Sequence, residues 1–117
     1  LHRAAYNDDA ALVAFLLERR ADADARTRAG QTPLHIAVQL DHPAIVVLLL
    51  VGAADPNAGT GLALTPLHYA VILNRPALAQ ALLAAGADVA IADKHGRTPL
   101  DWALLKGFEE LTLLLRA

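Results

Sequence analysis

Thr32-Pro33-Leu34-His35-Ile36-Ala37 opens on two residues that start helices. A Thr hydroxyl at an N-cap accepts a hydrogen bond from a first-turn amide, and Pro at the next position has no N–H to leave unpaired. A helix is therefore expected from Pro33. The stretch returns as Thr65-Pro66-Leu67-His68-Tyr69-Ala70 and Thr98-Pro99-Leu100-Asp101-Trp102-Ala103, each copy 33 residues after the last, and Leu1-His2-Arg3-Ala4 is a truncated first copy. A second landmark keeps the same step: Ala21-Asp22, Ala54-Asp55 and Ala87-Asp88 each follow a leucine-rich segment. Two landmarks at one interval, with no insertion or deletion between them, establish an internal repeat.

Outward from the motif, Asp8, Asp41, Asn74 and Gly107 stand six residues past the His position, and all are types that tolerate a left-handed turn. They end a short first helix. A second helix then starts near Ala10, Pro43, Pro76 or Glu109, and its apolar positions, such as Ile45, Val46, Leu49 and Leu50, recur at helical spacing. The expected organisation is a single domain over 1–117, with repeats at approximately 1–26, 27–59, 60–92 and 93–117.

The period and the Thr-Pro-Leu-His signature resemble the ankyrin repeat family over essentially the whole chain. The resemblance implies an all-α solenoid of stacked helix-turn-helix units with projecting β-turn or hairpin loops. Three positions depart from the pattern. Arg20 and Ala53 stand where the family usually has Gly, as at Gly86, and Ala63 replaces the turn glycine of Gly30 and Gly96. Positive-φ strain or a shifted turn is expected there, with Gly59 and Gly61 relieving it in the third repeat. Polar residues are also expected on both outer faces of the stack. Thr112 and Arg116 occupy the columns of Val13, Val46, Ala79 and of Leu17, Leu50, Leu83, while Arg3 occupies that of Ile36, Tyr69 and Trp102.

Composition removes several classes of function. A chain of 117 residues can bury a stable core without cross-links, and it contains no Cys for disulfides, thiolate metal sites or a cysteine nucleophile. Its net charge of -2 points to neither nucleic acid nor an anionic membrane. The longest apolar run, Ala44 to Ala54, is too short to span a bilayer. Opening on Leu1 without a basic segment or signal-like core, the sequence reads as a fragment or a processed product.

The residues with chemistry in them read as scaffold. His2, His35 and His68 lie one repeat apart, and packed helices sit about 8–10 Å from each other, too far for ligands that meet a metal at roughly 2 Å. The same spacing separates Asp22, Asp55 and Asp88, for which turn roles are expected. Gly59-Thr60-Gly61 lacks the Lys and helix of a phosphate loop, and no nucleophile elbow is present. No catalytic residue, cofactor or metal is expected.

In the family that the chain resembles, partners lie on the turn tips and on the concave face of the first helices. The positions implied are Arg28, Gln31, Leu62, Leu64, Lys94, His95 and Arg97 on the turns, and Tyr6, Asn7, Gln39, Leu40, Ile72, Leu73, Leu105 and Lys106 at the first-helix ends. Leu40, Leu62, Leu64, Ile72, Leu73 and Leu105 gather around the third repeat, flanked by Arg26 and Arg28 on one side and by Lys94, Arg97 and Lys106 on the other. An apolar centre with a charged rim fits a protein partner that offers an apolar anchor and acidic flanks. Packing between neighbouring first helices is the competing use for Ile72, Leu73 and Leu105. The expected function is that of a monomeric, non-catalytic protein-binding module with no affinity for nucleic acid or membrane. The alternative is a regulatory or oligomerising segment of a larger protein, docking in cis on a catalytic or transport domain.

Overall fold

A computed structural model describes residues 1–116; Ala117 of the expected fourth repeat lies outside the described residues. Its helices are α1 (His2–Tyr6), α2 (Ala10–Glu18), α3 (Pro33–Gln39), α4 (Pro43–Val51), α5 (Pro66–Ile72), α6 (Pro76–Ala84), α7 (Pro99–Lys106) and α8 (Glu109–Arg116). They form four pairs stacked in chain order. The odd-numbered helices pack in one row and the even-numbered in another, giving a body of 40 × 25 × 21 Å. No strand occurs among the described residues.

Local chemistry sets both ends of each first helix. Thr32, Thr65 and Thr98 cap α3, α5 and α7 through the amides of His35, His68 and Asp101, with Pro at the first helical position each time. At the far end the chain turns left-handed at Asp8, Asp41, Asn74 and Gly107, with φ of 54°, 59°, 56° and 71°. This lets the amides of Asp9, His42, Arg75 and Phe108 reach back to the carbonyls of Ala4, Ala37, Ala70 and Ala103 at 2.7–3.0 Å. Those four alanines are buried, and their small size brings the two helices of a pair together.

The core runs the length of the stack through Leu34 and Leu67 of the first helices and Ile45, Leu49, Leu82 and Leu111 of the second. The ends differ in part from the polar faces expected. Arg3 and Arg116 are exposed, and the half-buried Thr112 hydroxyl donates to the Phe108 carbonyl at 2.8 Å. Leu12, however, is 41% exposed where its counterparts Ile45 and Leu111 are fully covered by the preceding pair. Phe15 beside it is also open, and the Arg19 guanidinium shields it from 5.1 Å. The first face is therefore apolar with a cationic cover.

The pairs are joined by histidine. Nδ1 of His35 accepts from the Thr32 amide at 3.1 Å, and Nε2 donates to the carbonyl of Leu64, in the next repeat, at 2.8 Å. His68 does the same with the Thr65 amide at 3.1 Å and the Arg97 carbonyl at 2.9 Å, and His2 reaches the Gln31 carbonyl at 3.0 Å. An amide can only donate and a carbonyl only accept, so the neutral Nε2–H tautomer alone satisfies both ends. Each joint thus has a local half at the helix start and a forward half that reaches the next repeat. His42 is half-buried, and its Nδ1 donates to the Ala5 carbonyl of the preceding repeat at 2.9 Å.

The turn tips form a second joint. Gly61 N–H donates to the Ala29 carbonyl at 2.9 Å and Lys94 N–H to the Leu62 carbonyl at 3.0 Å, linking each tip to the one before. Within the tips, Gly30, Ala63 and Gly96 donate to Thr27, Thr60 and Asp93 at 2.8–2.9 Å, with φ of 83°, 60° and 79°. The turn at Ala63 is not shifted, and Gly59 and Gly61 do not take over its positive φ. Ala63 carries the strain itself, as Arg20 and Ala53 do after α2 and α4 with φ of 62° and 67°. Gly30 cannot be exchanged in return, because a Cβ there would lie 2.8 Å from the Gly61 nitrogen.

Two outcomes follow for stability. Burial, outweighing the bond to Leu64 and aided by Arg26 and His68, pushes His35 down from 6.5 to about 4. The unfolded chain binds this proton more readily, so the contribution is complete above pH 6.5 and is lost as the pH falls towards 4, by about 3 kcal/mol on the order-of-magnitude scale of linkage. Urea unfolding across that window shows a steep fall for the native chain and a shallower one for His35→Gln; equal slopes contradict the assignment. Ala63→Gly raises stability by about 0.5–1 kcal/mol by relieving the left-handed alanine, while Gly30→Ala lowers it. Thermal melting of the two variants checks the pair, and a loss in both refutes the strain at Ala63.

Candidate partner-binding face

The surface shared by the first helices and the turn tips follows from how α5 is oriented. Leu67, Ala70 and Val71 are buried, which turns Tyr69, Ile72 and Leu73, at helical spacing, to the other side. With Gln39 from α3 and Leu64 from the tip, these three line an open groove of about 190 Å³. The structure thus brings together four of the expected residues, Gln39, Leu64, Ile72 and Leu73.

Tyr69 is the residue that sequence reasoning assigned to a packing column and not to this face. Its hydroxyl accepts from Gln31 Nε2 at 2.9 Å, which leaves its own proton free to be donated. Its ring meets His35 edge-on with centroids 4.9 Å apart, so the joint between repeats also fixes the groove wall. A signal was present: Tyr69, Ile72 and Leu73 share one helical stripe, distinct from the stripe of Leu67, Ala70 and Val71.

The other expected apolar positions are open. Leu62 at the tip is 54% exposed, Leu73 40% and Leu105 60%, and Leu40 is exposed as well. Packing between first helices accounts for half-buried Ile72 and leaves Leu73 and Leu105 available. Tyr6 and Asn7, at the end of α1, are exposed and lie outside the groove.

The charges divide into committed and free. Arg28, Lys94, His95, Arg97 and Lys106 are exposed, and no ion pair among the described residues holds them; Arg75 and Asp41 form such a pair, at 3.8 Å. Arg26, expected to flank the patch, donates to the Gly59 carbonyl and belongs to the scaffold. Asp93 is buried under the last tip. Its Oδ1 accepts from the His95 and Arg97 amides at 2.9 and 3.1 Å, and its Oδ2 from the Trp102 indole at 2.8 Å. Burial works against its charge, but these bonds and the field of His68 prevail and hold the carboxyl below its usual range. Above the indole, the Arg97 guanidinium sits 4.9 Å from the ring centroid.

The remaining candidates are structural. Asp22, Asp55 and Asp88 each accept from the amide two residues on, at 2.8–2.9 Å, the local turn bond of an aspartate. No group of His, Asp and Glu that could hold a metal occurs among the described residues.

A known family matches the chain that folds in this way: the model for ankyrin repeats (3 copies) covers residues 1–93 and again 54–117. The chain belongs to the ankyrin repeat family. No curated protein matches it. Ankyrin repeats are in general protein–protein interaction modules, and the family is generally non-catalytic. In this ankyrin repeat chain, no helix among the described residues is long and apolar enough to cross a membrane.

Proposed function

We propose that the whole chain acts as one ankyrin repeat domain that holds a segment of a protein partner against the face shared by its first helices and turn tips. The observation that carries this reading is the set of open leucines, Leu62, Leu73 and Leu105, around a groove with a polar, hydrogen-bonded rim. Apolar groups left in water beside fixed donors and unpaired cations have the make-up of a binding patch: an apolar centre supplies the energy and the polar rim supplies orientation. Nothing in the packing requires leucine at the tip position of Leu62.

A second reading is favoured by a different surface. Val47, Leu50, Val51, Ala81, Ala84 and Ala85 line a shallow trough of about 360 Å³ between α4 and α6, with Val51 81% exposed. A neighbouring domain docking in cis, or a second copy, would cover it. The trough offers only aliphatic side chains, whereas the first-helix face combines apolar, hydrogen-bonding and cationic groups, and so supports recognition of a specific partner better.

Affinity capture from the source cells separates the two. Leu62→Ser combined with Leu64→Ser weakens retention of the specific partner at least about tenfold, and Val51→Ser leaves it unchanged. Retention that survives the leucine substitutions and is lost with Val51→Ser assigns the function to the opposite face.

A further inference from the structure

The groove lies at a change of chemistry along the stack. Leu64 and Leu73, two of its lining residues, have Arg97 and Lys106 as their counterparts one repeat on, and Gln31 and Leu40 one repeat back. Each of these columns therefore runs from a neutral residue through leucine to a cation. The two carboxylates nearest the charged end are engaged by the scaffold. Asp93 is buried beneath the tip, and Asp101 accepts from the Thr98 amide at 3.0 Å. Arg97 is held by stacking on Trp102, so it loses little freedom when an anion arrives. On the other side Arg3, two repeats before Tyr69 in its column, and Arg28 lie on the first helix and the first tip, and neither lines the groove.

Size restricts what the groove accepts. At about 190 Å³ it is smaller than the roughly 300–1,000 Å³ of sites for small organic ligands, and somewhat larger than an engineered cavity of about 150 Å³ that holds one benzene. One bulky apolar side chain fits.

We propose that the partner is an extended peptide segment bound in one register, with a single bulky apolar side chain between Leu64, Tyr69, Ile72 and Leu73 and its carboxylates on the side of Arg97 and Lys106. This rests on the reading of the first-helix face as the binding surface. Neighbouring first helices stand roughly 8–10 Å apart, and an extended chain advances about 3.4 Å per residue, so the acidic residues fall about three positions from the anchor. The free hydroxyl proton of Tyr69 and the amide of Gln39 are placed to bond the segment's backbone.

Synthetic peptides of one design test this: a single Phe in a Gly/Ser background, with two Glu three and four positions after it, the same before it, two Lys in place of the Glu, or no charge at all. Binding is measured at low salt by titration calorimetry, and the site is mapped by amide shifts of the protein. One of the two acidic peptides binds about tenfold tighter than the uncharged one, its shifts centre on Leu64, Tyr69 and Leu73, and the lysine version binds weakest. Arg97→Gln with Lys106→Gln abolishes the increment, and Lys106→Gln, which breaks no internal bond, removes part of it; Arg3→Gln with Arg28→Gln does not. An increment lost equally with Arg3 and Arg28, or the absence of one, overturns the register while shifts at the groove keep the face. Shifts confined to the α4–α6 trough overturn both.

Discussion

A neutral imidazole used at both of its nitrogens is the constraint on which this stack depends. His35 accepts at one side from the backbone at its own helix start and donates at the other to the backbone of the next repeat. An ionised carboxylate at that position can only accept, so it can bond the amide but not the carbonyl. The last helix pair shows the converse. With no following tip among the described residues to accept a proton, Asp101 stands in the histidine position and performs only the local half, bonding the Thr98 amide at 3.0 Å.

The joint also organises the surface. The carbonyls that receive the histidine protons belong to Gln31, Leu64 and Arg97, three tip residues of the candidate face, and Tyr69 rests edge-on against His35. Buried scaffold thereby holds exposed side chains at fixed intervals. This ordering by the fold is what allows a run of short, weakly structured turns to present a defined row of groups, and it limits the entropy that a partner must overcome.

Much of this was legible in the sequence because the repeat exposes its own rules. Thr-Pro pairs mark helix starts by their hydrogen-bonding capacity, and the left-handed positions at Asp8, Asp41, Asn74 and Gly107 follow from residue type. The forward half of each histidine joint was not legible, since it depends on a carbonyl 29 residues away that any residue could supply. Nor was the role of Tyr69, which stands in a column shared with Ile36, Trp102 and Arg3 and meets Gln31 only once α3 and α5 are side by side. The apolar first face escaped for a related reason. Leu12 matches Ile45 and Leu111 in type, and only the absence of a covering pair among the described residues leaves it open. Arg26 shows the same limit, a cation in sequence that becomes part of the frame by reaching Gly59.

Recognition therefore sits in the columns where copies differ, while the repeated signature builds the frame that spaces them. The frame's central element can be observed directly by long-range ¹⁵N correlation of the histidine rings as the pH is lowered from 7 to 5. The account predicts His35 and His68 as Nε2–H tautomers at pH 7, with His35 still uncharged at pH 5. A ring of His35 that is charged at pH 5, or that carries its proton on Nδ1 at pH 7, would contradict it.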